Sequence, residues 1–306
     1  MNGYVGGLFE GVLSTGAADT TTTGRRIFRS LGNSGSEPIT TSVIAQTSAT
    51  TNKVHVHFNG EQADGTPVMQ LFLTNMGDED PVFGSGTTTA GDSAFIDNTH
   101  FGGIDMDAAI SVDLIDGVNP TNVHSGMATV NFGGASDFGV TSPCVCSFLS
   151  WGVWSANYLI PTTQQRTHLA GWVAGELADL TSGVLANQPT GSATYTGHMF
   201  GTVLNNGAIY TAAGTYQNVW NFDTDTGAVT LGSFDGLANI TGTATALANK
   251  REFTALSLTN GTHNAQLRGS FVKSATSNVA GCVGDFHILG TNYKAAGIIA
   301  AQLPGQ

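Results

Sequence analysis

The chain closes on Tyr293-Lys-Ala-Ala-Gly-Ile-Ile-Ala-Ala301, and this stretch decides the fold. Read as a strand, it puts Tyr293, Ala295, Gly297 and Ile299 on one face and Lys294, Ala296 and Ile298 on the other. Its small residues, Ala295, Ala296 and Gly297, mark a crowded place where large neighbouring side chains pack across the backbone. The segment is therefore predicted to be the closing strand of a sheet that returns on itself.

Working back from it, short apolar-alternating runs recur as far as Ser192, each bounded by Gly, Asn or Asp. Tyr195-Thr-Gly-His-Met-Phe-Gly201, Gln266-Leu-Arg-Gly-Ser-Phe-Val272 and Gly284-Asp-Phe-His-Ile-Leu-Gly290 are of this kind. Asn205-Asn-Gly207, Asp225-Thr-Gly227, Asp235-Gly236 and Asn260-Gly261 supply hairpin turns with positive φ. About eight or nine such strands close a small barrel whose interior side chains fill it. Helical periodicity is confined to a turn or two at residues 163–166 or 246–251.

The expected fold class is all-β: a β-rich region over residues 1–187, then a small antiparallel, about eight-stranded β-barrel over 188–306. The stretch 163–191 separates the two, with 185–191 as the linker. In the first region the predicted strands are longer-spaced: 53–58, 68–74, 108–114, 127–132, 146–155 and 169–175. The segment from Tyr4 to Gly11 also reads as a strand.

Charged residues make up only 10% of the 306, with 41 Gly, while the hydrophobic share of 41% is enough for a core. Thr, Ser, Gly and Asn take the polar positions on outward strand faces and in turns. Such a profile fits exported bacterial β-proteins better than cytosolic enzymes. The net charge is −12 from 10 basic and 22 acidic residues, and the basic residues cluster only at Arg25-Arg26 and Lys250-Arg251. Without a basic stripe there is nothing to displace counterions from a phosphate backbone, so nucleic acid is excluded as a partner. No apolar run reaches the roughly 18 residues of a membrane helix. The 8% aromatic content, with Thr and Gly on both faces, favours a soluble barrel over a lipid-facing one. Met1 opens no basic segment or apolar core of a secretory signal, so a fragment or mature region of a longer exported precursor is expected.

Several residues invite a chemical reading. His55 and His57 sit two apart in Lys-Val-His-Val-His-Phe58, so one strand face carries both. That pair can begin a metal site or ligate haem, or it can be a polar, solvated face. Asp78, Glu79 and Asp80 form an oxygen-rich loop of the sort Ca2+ favours, but without EF-hand spacing the segment reads first as a solvated acidic loop and only second as a cation site. Of the three cysteines, Cys144, Cys146 and Cys282, either member of the Cys-x-Cys pair can reach Cys282 in a disulfide, or all remain buried thiols. Trp151, Trp154, Trp172 and Trp220 read as core residues rather than a carbohydrate platform, with Trp220 and Phe222 facing inward. No Gly-x-Ser-x-Gly, His-Glu-x-x-His or phosphate-cradling loop occurs, so no enzyme is expected.

The blocks Cys146-Ser-Phe-Leu-Ser-Trp-Gly-Val-Trp154, His168-Leu-Ala-Gly-Trp-Val-Ala-Gly175 and Thr194-Tyr-Thr-Gly-His-Met-Phe-Gly-Thr-Val203 resemble the C-terminal part of bacterial FecR-domain proteins. The tail from Gly284 to Ala301 resembles the last strands of the barrel in transferrin-binding-protein-like surface proteins. Residues before Pro143 carry no resemblance. These families bring no catalytic motif; they imply surface lipoproteins or secreted haem binders that contact ligands through loops or the N-terminal half.

The resulting expectation is a non-enzymatic, exported module on the outer surface of a Gram-negative bacterium, or extracellular, acting by binding. Two alternatives stand beside it: a self-assembling subunit of a surface layer or filament, and capture of haem or metal. No cofactor is expected, with Ca2+ or haem as the exceptions, and a protein partner or self-association is. Contact is predicted on the first region and on the loops 75–92 and 98–107, not in the barrel interior.

Overall fold

In the computed structural model of the protein, the described residues are 2–12, 25–30, 42–47, 52–61, 67–73, 83–84, 93–96, 101–104, 110–112, 148–160, 163–179 and 189–305. The expected all-β class holds. The first sheet comprises β1 (Asn2–Val12), β2 (Arg25–Ser30), β3 (Ser42–Thr47), β4 (Asn52–Glu61), β5 (Pro67–Leu73), β6 (Phe83–Gly84), β7 (Ser93–Ile96), β8 (Phe101–Ile104), β9 (Ile110–Val112), β10 (Leu149–Ile160) and β11 (Thr163–Gly175). The closed barrel comprises β12 (Ser192–Asn205), β13 (Ala208–Asn221), β14 (Thr226–Gly232), β15 (Ile240–Ala246), β16 (Glu252–Thr259), β17 (Asn264–Val272), β18 (Gly281–Gly290) and β19 (Tyr293–Gln302).

Every barrel strand pairs with its chain neighbour, and β19 closes the ring on β12 with Val203 opposite Ala295 and Gly201 opposite Gly297. The turns explain why. Asn206 and Gly207 (φ 48 and 88), Asp235 and Gly236 (φ 53 and 72) and Gly261 (φ 89) take the left-handed backbone that tight connections need. At the Asp225 turn the φ of 54 belongs to Asp225 itself. Gly227 lies inside β14, where a side chain would collide with Asn218 and Trp220, so that glycine serves packing rather than the turn.

Inside the barrel the alternate residues of each strand meet. Trp220, Tyr195, Tyr216, Phe234, Phe253, Phe271 and Phe286 are fully buried. Phe271 lies 5.0 Å from Trp220, 5.2 Å from Phe253 and 5.5 Å from Tyr195 and Phe222 between ring centres, in tilted and edge-on arrangements. The interior is thus a packed core, as a barrel of this strand number allows. The outer face of β13–β16 is exposed mostly at hydroxyl and amide groups, Thr215, Gln217, Thr241, Thr243, Thr245 and Thr259, with Val219 and Leu256 as the exposed large apolar residues.

In the first sheet the order runs β7-β8-β6-β4-β2-β1-β11-β10-β9, with β3 against β1 and β4 and β5 against β4. The predicted strands at 53–58, 68–74, 108–114, 146–155 and 169–175 overlap β4, β5, β9, β10 and β11, with residues 74, 108–109, 113–114 and 146–147 outside the described residues. The strand predicted at 127–132 lies outside the described residues. Two readings need correction. Residues 163–166 are not helical but open β11, which is held on both sides, by β1 and β10. Ala246 ends β15, and the residues after it turn back through Lys250 at φ 57. Within the 163–191 stretch, residues 163–175 are therefore strand β11, while residues 185–188 of the expected linker lie outside the described residues. Beyond β11, the amide of Ala178 donates to Phe271 O at 2.9 Å and that of Lys273 to Glu176 O at 2.8 Å, tying the exit of the first sheet to the end of β17.

Candidate functional site

The two β units meet along one flank of the barrel, and the polar residues buried there are the best-built site among those described. β1 lies across the outer face of β17, β18, β19 and β12. Leu8, fully buried, packs on Ala296 beside Leu204, Ile209 and Leu289. Midway, Gly6 approaches Gly297 so closely that a side chain at Gly6 would strike the Gly297 main chain, while one at Gly297 would strike the main chain of Phe200 and Gly201 in β12. Gly171 of β11 takes the side chain of Ile298 in the same way. Together these contacts bury the outward face of β19, so Ala296, Ile298 and Ala300 are as covered as the inward Tyr293, Ala295 and Ile299. The crowding expected at Ala295–Gly297 is present, and it comes from two sides: the Phe200–Gly201 main chain of β12 presses on Gly297, and Leu8 of β1 covers Ala296.

At the far end of β1, Tyr4 reaches the barrel. Its hydroxyl lies 2.6 Å from Ser270 Oγ, both groups buried. Around this pair the β ladder sets charges. Glu252 stands opposite Ser270 in the β16–β17 register, and Arg268 opposite Asp285 in the β17–β18 register; His287 is two residues further along. Asp285 is fully buried, His287 3% exposed and Glu252 7%. Burial, then the nearby Glu252 carboxylate, holds the Tyr4 phenol well above its ordinary range; Asp285 adds to this, while Ser270 and Arg268 oppose it. Burial likewise raises the Glu252 carboxyl, against the pull of Asn249 and of Arg251, whose Nε is 3.7 Å from Glu252 Oε1. The arrangement holds Tyr4 as a neutral hydrogen-bonding phenol between charged groups. It is suited to fixing β1 on the barrel.

None of these residues stood out as a site in the sequence. Arg268, Ser270, Asp285 and His287 occupy alternate positions of runs that read as ordinary strands with an outward polar face. The available signal was the charge itself: two ionisable residues on one face of Gly284-Asp-Phe-His-Ile-Leu-Gly290, in a chain with so few.

The residues singled out from sequence fall elsewhere. His55 and His57 occupy alternate positions of β4, His55 opposite Ile44 and His57 opposite Ser42 and Phe72. Asp78, Glu79 and Asp80 lie outside the described residues, as do Cys144 and Cys146. Cys282 is a free thiol, fully buried in the barrel core, and burial pushes it up to about 12, with the nearby Tyr216 opposing this. Among the described residues, no three His, Cys, Asp or Glu side chains converge as ligands for a metal ion. Trp220 and Phe222 face the barrel core, at 1% and 5% exposure. No helix among the described residues is long and apolar enough to cross a membrane.

No family model matches the chain, and no curated protein does either, so the FecR-domain resemblance finds no support. Among solved structures, the chain is similar to HpuA from Kingella denitrificans in complex with human haemoglobin. The identity is 14% over 88% of this chain and 93% of that one, with a TM-score of 0.34. It is also similar to intact Ap-TbpB, with N and C lobes, at 12% identity over 99% and 76% of the chains and a TM-score of 0.35. A DUF3598-family protein of unknown function from Nostoc punctiforme matches at 8% identity over 99% and 96%, with a TM-score of 0.25.

Proposed function

We propose that the chain is a non-enzymatic binding module of the outer cell surface, in which the closed barrel is a rigid mount and the N-terminal sheet and its loops carry the contact surface. The observation that supports this most is how completely the barrel is committed to packing. Its interior is filled by seven fully buried Trp, Tyr and Phe side chains, and one outer flank lies under β1. A ligand or partner is then met by surface residues and loops, which tolerate change without disturbing a core. The low charge and Gly/Thr-rich composition support a place outside the cytoplasm. A protein partner fits this reading, with the 75–92 segment and the β4 histidines His55 and His57 as contact candidates.

The test is to place a photo-crosslinking residue in the 75–92 segment, and separately at the exposed barrel position Thr243, in the full chain on cells. Adducts are expected from the first position. Adducts formed only from Thr243 overturn the assignment. Light scattering and absorption of the purified chain decide against the rivals: polymers would identify a self-assembling subunit, and a Soret band or bound metal would identify ligand capture.

A further inference from the structure

The barrel end opposite the tether gathers the turns after β12, β14, β16 and β18. The Asn206 amide donates to Asn292 O at 2.9 Å, and Asn260 Nδ2 to Ala238 O at 3.0 Å, so these turns hold one another. Within that ring stands Asp235, in the short turn Phe234–Gly236, with a left-handed backbone (φ 53, ψ 29). Tyr210 donates its hydroxyl hydrogen to Asp235 Oδ2 at 2.8 Å, and Asn205 Nδ2 in turn donates to the Tyr210 oxygen at 3.2 Å. The Tyr293 ring is 4% exposed; its hydroxyl lies near the same carboxylate and closes no hydrogen bond of good geometry. His263 meets Tyr293 edge to face, with ring centres 5.0 Å apart at 82°. Its ring is fixed from behind, because it rests on the Gly290 backbone where a side chain would strike it.

This is an unusual place to leave a carboxylate. A carboxylate has about four acceptor positions, and Tyr210 fills one. Among the described residues Asp235 has no ion-pair partner, whereas Asp225 and Glu176 are matched, by Lys250 at 3.0 Å and Lys273 at 2.7 Å. The carboxylate lies beside the phenols of Tyr210 and Tyr293, and His263 packs edge-on against Tyr293. A carboxylate beside aromatic rings is the chemistry that recognises an organic cation, by charge and by the ring quadrupole together. Both phenols are pushed up, first by burial, so they remain neutral and add no repulsion or competing charge.

We infer that Asp235, Tyr210, Tyr293 and His263 form a binding site for an organic ammonium group at this end of the barrel. The site is independent of the sheet surface proposed above. A primary amine, such as the side chain of a partner's lysine, and a quaternary headgroup share this chemistry.

The experiment is a nuclear magnetic resonance titration of the full chain with butylammonium, tetramethylammonium and the neutral isostere 3,3-dimethylbutan-1-ol. Saturable shifts are expected at residues 210, 235, 263 and 293 with the cations and not with the alcohol. Tighter butylammonium binding identifies a primary amine as the natural group; tighter tetramethylammonium binding identifies a quaternary one. Asp235→Asn should weaken the cation by on the order of tenfold, the loss of one charge-assisted contact, with the dispersion of the core resonances unchanged. Should that variant not fold, Tyr210→Phe keeps the ring and frees the carboxylate, and cation binding must persist in it. No saturable shift, equal binding of the alcohol, cation binding indifferent to Asp235→Asn, or its loss in Tyr210→Phe overturns the site.

Discussion

The barrel and the first sheet are made of the same residue types and differ in how far along the chain their contacts reach. In the barrel each strand pairs with the next, and only the β12–β19 contact spans the unit. In the sheet the central pairing joins β1 to β11, with Asn2 opposite Gly175 and Val12 opposite Gln164, so nearly all of the first region lies between partners. Closing a long loop has a larger entropic cost than closing a two-residue hairpin, and long-range pairing forms late. A chain of local hairpins can be recognised one turn at a time. A sheet whose centre is its two ends can be recognised only when whole.

The most severe way to break the contrast is to open the barrel. Deleting residues 293–306 removes β19, which pairs with both β12 and β18 and supplies Tyr293, Ala295, Ile299 and Ala301 to the core. It also removes Ala296 and Ile298, on which β1 and β11 rest. Both units should therefore fail together, with no cooperative thermal transition. A truncated chain of unchanged melting temperature contradicts the closed ring.

Next in size is a cavity at the centre of the barrel. Phe271 touches four aromatic rings at 5.0 to 5.5 Å and has no exposure. Phe271→Ala should cost about 3–5 kcal/mol in denaturant unfolding. A loss below about 1 kcal/mol would mean the core relaxes around the gap, as a loosely packed interior would.

The barrel was legible because its signals are local. Asn205-Asn-Gly207 and Asn260-Gly261 mark turns by chemistry that needs no partner, and the alternation of Trp220 and Phe222 names the inward face directly. The closing strand and its two faces were readable for the same reason. What lies outside it was not. The alternation at Asp285 and His287 looks the same whether the outward face meets water or β1, because a period of two specifies a face and not what covers it. Tyr4 and Ser270 are 266 residues apart, and no spacing rule links them. Asp235 was read as a turn residue, correctly, and its place beside the phenols of Tyr210 and Tyr293 emerged only with the fold.

The two units can be separated without harming the barrel. A side chain at Gly6 meets the Gly297 backbone, which cannot move without disturbing the pairing with β12. Gly6→Val should cost about 1–3 kcal/mol, the usual effect of overpacking, and spend it at the junction. Limited proteolysis should then release a resistant fragment containing the barrel. If the variant stays as resistant as the parent, β1 is not what joins the units.

A milder change tests the polar end of the same contact. Tyr4→Phe removes the 2.6 Å bond and strands the Ser270 hydroxyl, for about 1–2 kcal/mol. Adding Ser270→Ala should restore part of the loss, since neither group then seeks a partner. Additive losses in the double variant would show that the two hydroxyls do not depend on each other.

The smallest effect sharpens the comparison by pH. Burial raises the Glu252 carboxyl, so its contribution is the opposite of a salt-bridged acid. Stability linked to it is full below the ordinary carboxyl range, where the group is protonated folded and unfolded alike. It falls as pH rises through the raised folded value, because the folded state must then hold a charge that water would hold better. Glu252→Gln removes that loss, so the variant should match the parent in acid and exceed it at neutral pH. The gain should be modest, because Arg251 and Asn249 already offset part of the burial. A variant less stable than the parent at pH 7 would mean that Glu252 is a net favourable partner of Arg251. The charged rim of the Tyr4–Ser270 pair would then strengthen the junction instead of straining it.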